Sequence, residues 1–93
     1  MQKVKAFRSS KYLAWVKTLP CCICGAPADD AHHIIGTGSL SGMGMKAADT
    51  YTMPVCRADH RFIHENPDVW VSQWEWIART LAKAFDEGVI KIA

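Results

Sequence analysis

The chain predicts an α+β fold in which a short β-hairpin is bracketed by helices, and three observations carry that prediction. Apolar residues recur at helical spacing near both ends, at Tyr12, Leu13, Trp15 and Val16 and again at Trp70, Trp74, Ile77, Leu81 and Phe85. Two short strand-like runs, 31–35 and 51–55, flank a segment, 36–46, that holds four of the six glycines (Gly36, Gly38, Gly42 and Gly44). Cys21-x-x-Cys24 followed by Gly25 has the form of a zinc knuckle. With 93 residues, 49% hydrophobic and 22% charged, the chain is sized for one ordinary globular domain over 1–93. A domain this small commonly relies on a metal or disulfides to fold.

Each element has a local cause. Ser9 or Ser10 is placed to cap the first helix, and Leu19-Pro20 stops it, because a residue before proline disfavours helix. The knuckle and a loop with Pro27 lead into the first strand, and the glycine-rich segment connects it to the second. Residues 57–65 read as a helix that stops before Asn66-Pro67. Asn66 then caps, and Pro67 opens, a long last helix over 68–85 whose acidic start at Asp68 suits the helix dipole. Gly88 ends it, and Val89, Ile90 and Ile92 pack back on the body or pair as a short strand. The stripe Trp70, Trp74, Ile77, Leu81 and Phe85 is expected to be core, whereas Trp76 lies off it, exposed or against another subunit.

A net charge of +2 is compatible with nucleic acid but too small to argue for it. No run approaches the roughly 20 apolar residues of a membrane span, and residues 1–11 lack the apolar core of a signal peptide. The expected compartment is therefore the reducing cytoplasm, where cysteines serve metals better than disulfides.

Cys21 and Cys24 need a second pair of ligands to close a tetrahedral zinc site. Cys22, in a poorer Cys-x-Cys spacing, reads as a small buried spectator. Cys56 is the remaining cysteine, and its partner is Asp59 or His60. Spacing favours Asp59, because Cys-x-x-Asp repeats the knuckle gap; ligand chemistry favours His60, because carboxylates are less common at structural zinc. Asp59 is preferred, since His60 has a second use. The competing reading makes these cysteines merely small buried apolar residues.

All four histidines fall in two places, His32 with His33 and His60 with His64. Adjacent residues on a strand point to opposite faces, so one histidine can bind a metal while its neighbour serves another target. On a helix, i and i+4 share a face about 5–6 Å apart, which suits two imidazoles gripping one ion. Three neutral imidazoles leave open positions for water and a phosphate oxygen. An imidazole off the metal has an ordinary pKa of about 6.5, matched to proton abstraction at neutral pH. His33 is assigned as general base and His32, His60 and His64 as ligands of a catalytic divalent cation (Mg²⁺, Mn²⁺ or another); the roles of His32 and His33 are interchangeable at this stage.

Several stretches in this order resemble the HNH (ββα-metal, His-Me finger) endonuclease family, in its small phage and prophage form. They are Cys21-Cys22-Ile23-Cys24-Gly25, then Ala31-His32-His33-Ile34-Ile35-Gly36-Thr37-Gly38, then 42–49, then Pro54-Val55-Cys56-Arg57-Ala58-Asp59-His60, closed by His64. Together they span 21–64, about half the chain. The resemblance implies metal-dependent cleavage of DNA by a ββα-metal motif, with the base on the first strand and metal ligands on the helix. It implies a structural zinc ligand immediately before the first helix histidine; relatives use Cys or His where this chain has Asp59. Asp49 is the nearest polar candidate for the family's middle Asn, bracing the loop or the base. The resemblance also implies a phage or prophage setting in a bacterial cell, with a recombination protein filament as an additional partner. Monomer and dimer remain equally open.

Lys46, Arg57 and Arg61 are the expected DNA contacts, with a basic N-terminal group (Lys3, Lys5, Arg8 and Lys11) that reads equally well as solvated surface. The glycine-rich segment fails the P-loop pattern. The alternatives to an endonuclease are a non-catalytic zinc-stabilised DNA-binding or adaptor module and a zinc-ribbon-like interaction domain.

Overall fold

The computed structural model describes residues 7–36 and 47–91. Lys3, Lys5, Lys46, Ile92 and most of the glycine-rich segment lie outside the described residues.

Helix α1 is Ser10–Val16, and Ser9 is its cap: the Ser9 hydroxyl accepts from the Tyr12 amide at 3.1 Å. Tyr12 and Val16, one turn apart, are its buried residues. The next segment folds back on itself, with Cys21 N donating to Ala26 O and Gly25 N to Cys21 O, and a bridge between Pro20 and Pro27.

Strands β1 (Asp30–His33) and β2 (Thr52–Val55) form a two-stranded antiparallel sheet, with His32 opposite Met53 and His33 opposite Thr52. All four β2 residues are buried. Pro54 has no N–H to give the ladder, but its carbonyl accepts from Cys22 N at 2.8 Å, which docks the knuckle on β2. Helix α2, Arg57–Glu65, follows after a single residue. Its first amide, Arg57 N, donates to the Asp29 carboxylate at 2.8 Å, so a residue just before β1 caps a helix that begins after β2.

The expected order of helix, knuckle, hairpin, helix and long helix is observed, with one change. The last helix starts as a 3₁₀ segment, Pro67–Ser72, and becomes α-helical only as α3, Gln73–Asp86. In the 3₁₀ turn the Trp70 indole N–H donates to Ile63 O at 2.7 Å, a carbonyl at the end of α2 that also accepts from Asn66 N at 3.3 Å. The buried face of α3 is also rotated from the expected stripe. Gln73, Ile77, Thr80 and Ala84 are buried, whereas Trp74 and Phe85 are nearly half exposed. Trp76, expected off the core, packs on it. The buried polar groups on this face have partners: Thr80 Oγ1 donates to Trp76 O. Gly88 N and Val89 N close the helix on Phe85 O and Ala84 O, in the pattern of a Schellman motif. Ile90 then packs against the Tyr12–Val16–Ala84 cluster, and no strand forms in the described part of the tail.

The main core joins Cys21, Ile34, Ala47, Met53, Val55, Ile63 and Ile77, so sheet, knuckle, α2 and α3 share one apolar centre. No helix among the described residues is long and apolar enough to cross a membrane.

Gly36 sits at φ +78° where the chain leaves β1, and a β-carbon there would clash with Trp70 Cε3. At Gly25, φ +80°, a β-carbon meets no described atom within 4 Å. Gly25→Ala should therefore cost only its backbone strain, about 1–2 kcal/mol. Gly36→Ala adds overpacking and should cost about 2–5 kcal/mol. Urea unfolding of both variants measures the difference; equal losses would contradict the packing of Trp70 on Gly36.

Candidate metal centre and active site

Two groups of metal-donor side chains stand next to each other, and α2 contributes to both. In the first, one donor atom each from Cys21, Cys24, Cys56 and Asp59 lie within 4.8 Å of one another. The Cys24 and Cys56 sulfurs are 3.7 Å apart, and Asp59 Oδ2 is 3.2 Å from Cys21 Sγ and 3.3 Å from Cys56 Sγ. A tetrahedral zinc with Zn–S of about 2.3 Å and Zn–O of about 2.0 Å sets donor separations of about 3.5–3.8 Å. The observed separations lie within about 0.3 Å of these, so the donor set, three soft thiols with one carboxylate, is close to what such an ion requires. Cys22 lies outside this cluster; burial, then the adjacent Cys21, pushes its thiol up to about 12.

The charge balance points the same way. The Ala26 amide favours the Cys24 thiolate, but Asp59 and Cys56 outweigh it and hold the thiol up at about 12. Thiol donors from Cys24 and Cys21 in turn keep the Asp59 carboxyl below its ordinary range. A bound divalent ion favours the thiolate form of any cysteine that holds it.

The second group is His32, His60 and His64, whose donor atoms also lie within 4.8 Å of one another. Strand alternation sends His32 against α2, where its ring meets His60 edge-on at 4.7 Å and His64 at 5.2 Å. Helical spacing stacks His60 over His64 with ring centres 5.1 Å apart. His32 is 3% exposed, and burial, reinforced by His60, lowers it to about 4, so it is neutral at physiological pH as a metal ligand must be. Behind His60, Asp30 Oδ2 accepts from Nδ1 at 3.0 Å. That bond, with Arg57 nearby, holds the Asp30 carboxyl below its ordinary value.

His33 stands apart from both groups. Its Nε2 donates to Asp49 Oδ1 at 2.8 Å. Asp49 is almost fully buried and is itself held by the Ser9 amide at 2.7 Å and by Arg8 at 3.2 Å. Burial raises the Asp49 carboxyl, but the bonds from His33, Ser9 and Arg8 outweigh it and leave the carboxyl lowered. Arg8, grouped with the basic N-terminal residues, thus has an internal role, with a second bond to Ala47 O.

The histidines open onto a cleft of about 410 Å³ between α1 and the sheet, bordered by Leu13 and Lys17 on one side and by His32, His33, His60 and His64 on the other. A second hollow of about 310 Å³ lies across α2, lined by Arg57, Arg61, His60 and His64. Both expected arginines are exposed there, Arg57 3.6 Å from Asp30. Asp30, Gln73 and Lys17 were not marked by any sequence pattern, and Ser9 was marked only as a helix cap. Asp30 and Gln73 touch residues 30 and 41 positions away, beyond what local spacing encodes.

Among the described residues, fold and site together define a small mixed α/β domain, a two-stranded sheet with three α-helices, carrying a Cys₃Asp cluster and a three-histidine cluster of metal-donor side chains. The chain belongs to the family described as "Protein of unknown function (DUF968)", which it matches over residues 1–89. It is 43% identical over 94 residues to "Uncharacterized protein YdfU" of Escherichia coli (strain K12), covering 97% of this chain and 27% of that protein. It is 38% identical over 66 residues to the "Mitochondrial DNA mismatch repair protein mutS homolog" of Sarcophyton glaucum, covering 69% of this chain and 7% of that one. The chain thus spans about a quarter or less of these relatives. No solved structure gives a significant match.

The lowered Asp49 carboxyl has a pH consequence. A carboxyl with a depressed folded pKa adds stability above its unfolded value, about 3.9, and loses it as pH falls through the folded value. Between about pH 6 and pH 2, wild type should lose more stability than Asp49→Asn, which has no charge to titrate there. Urea unfolding at both ends of that window gives the comparison; parallel losses would show that Asp49 is not ionised against His33 and Arg8.

Proposed function

We propose that this chain is a metal-dependent DNA endonuclease or nickase of the ββα-metal (HNH) type, with a structural Zn²⁺ held by Cys21, Cys24, Cys56 and Asp59. One observation carries the reading: a three-histidine donor cluster borders the same cleft as a fourth histidine that is braced by a carboxylate and takes no part in the cluster. A purely structural metal site has no use for that fourth group.

His32, His60 and His64 would hold a catalytic Mg²⁺, Mn²⁺ or other divalent ion, which when bound supplies Lewis acidity to the scissile phosphate and the departing oxyanion. The chain's own residues do the rest. With Nε2–H engaged by Asp49, His33 keeps Nδ1 as the lone pair that takes a proton from the attacking water. The water oxygen bonds to phosphorus as the bond from phosphorus to the leaving sugar oxygen breaks. Asp49 holds the ring in orientation and stabilises the imidazolium that forms. Arg57 and Arg61 flank His60 and His64 and bind backbone phosphates on that side.

DNA as substrate is supported by the sequence resemblance and by the name of the coral relative, a DNA mismatch repair protein. A recombination protein filament as partner rests on the resemblance to the small phage and prophage HNH endonucleases alone.

Supercoiled plasmid nicking tests the reading. Wild type should nick only with added Mg²⁺ or Mn²⁺, and folded His33→Ala should lose about 10²–10⁴-fold in rate. Undiminished nicking by that variant would refute the role of His33. A folded, metal-replete wild type that binds DNA without cutting it would favour the binding-module alternative. Arg57→Ala and Arg61→Ala should weaken DNA binding at low salt and each reduce the log–log salt slope by roughly one. An unchanged slope would remove these arginines from the interface.

A further inference from the structure

We propose that Gln73 is a positioning residue that fixes the tautomer of His32 and so makes Nδ1 its ligand atom. The inference rests on the reading of His32, His60 and His64 as an ion site.

Gln73 is the first residue of α3 and is fully buried. Its carboxamide meets four groups. Oε1 accepts from Ile35 N at 3.1 Å, while Nε2 donates to Ile35 O and to Trp70 O, both at 3.0 Å. A backbone N–H can only donate and a carbonyl can only accept. Turning the amide over would set its NH₂ against the Ile35 N–H and its oxygen against two carbonyls, so this orientation is dictated by the backbone around it. The other neighbour of Oε1 is His32 Nε2, at 3.2 Å. A ring nitrogen facing an acceptor must carry the hydrogen, whatever the charge of the ring. The lone pair of His32 is therefore on Nδ1.

His60 is set by the same logic with the opposite result. Asp30 occupies its Nδ1 and leaves Nε2 for an ion. Two neighbouring imidazoles thus offer unlike nitrogens, each selected by the acceptor behind it. An outer partner of this kind orients the ligand and raises its basicity, and its loss typically weakens metal binding 10–100-fold.

The test uses the zinc-loaded full chain with ¹⁵N-labelled histidine. Long-range ¹⁵N–¹H correlation at mildly alkaline pH, with His32→Gln to assign the ring, reads the tautomer directly. Wild type should show the Nε2–H form of His32, and Gln73→Met should shift it towards a mixture or to Nδ1–H. Titration with Mn²⁺ should show about 10–100-fold weaker binding for Gln73→Met. Gln73→Glu keeps an acceptor and should keep the Nε2–H form. An Nδ1–H tautomer in wild type overturns the proposal, and that measurement holds even if the variants fail to fold. Equal Mn²⁺ affinity in folded Gln73→Met and wild type also overturns it, while leaving the ion site standing. A wild type that takes up no Mn²⁺ at the histidines removes the ion site and the proposal together.

Discussion

The meeting of Cys21 and Cys24 with Cys56 and Asp59 is the constraint on which the rest of the site depends. It joins two chain segments more than 30 residues apart, and its second half is the N-cap and first turn of α2. Asp29 on the first amide of α2 and Cys22 on the Pro54 carbonyl fasten the same corner. Once that corner is fixed, helix geometry decides the remainder. Asp59 and His60 are consecutive and so diverge by about 100° around the axis, sending one to the cysteines and the other to His32. His64, one turn on, completes the histidine group. A single helix origin therefore orients two donor clusters, so a metal held at the cysteine corner would bear on a site that it does not touch.

Acceptors stand behind three of the four histidines. Asp30 takes His60, Asp49 takes His33, and the Gln73 amide takes His32. The two carboxylates are held ionised by further donors, Arg57 for Asp30 and Arg8 with the Ser9 amide for Asp49. Asp30 and Asp49 are thus each paired with an arginine as well as a histidine. The apolar core beneath, with Met53, Val55 and Ile63 fully buried, backs the strands and helices that carry His32, His33, His60, His64 and Gln73, while Asp49 sits in the turn before β2.

Much of this was legible in the chain. The Cys-x-x-Cys and Cys-x-x-Asp gaps encode local turns, so their donor character could be read from spacing, and the meeting of the two pairs is what the structure adds. The i, i+4 histidines and the strand alternation at His32–His33 follow from backbone period alone. The order of elements was legible for the same reason. What escaped was set by hydrogen bonds between distant residues. The apolar stripe through Trp74 and Phe85 counted hydrophobicity, whereas α3 buries Gln73 and Thr80 because their polar atoms find partners. The 3₁₀ start over Pro67–Ser72 escaped because the Asn66-Pro67 signal marks a helix start without distinguishing its type. Asp30 and Gln73 were invisible as site residues because nothing local separates an orienting acceptor from a surface one.

Zinc-edge X-ray absorption on the purified chain tests the central claim most directly, because it reports the atoms around the metal. The account predicts one tightly held zinc per chain with three sulfur neighbours at about 2.3 Å and one oxygen at about 2.0 Å. A folded chain without zinc, or zinc bound only by nitrogen and oxygen, would contradict it.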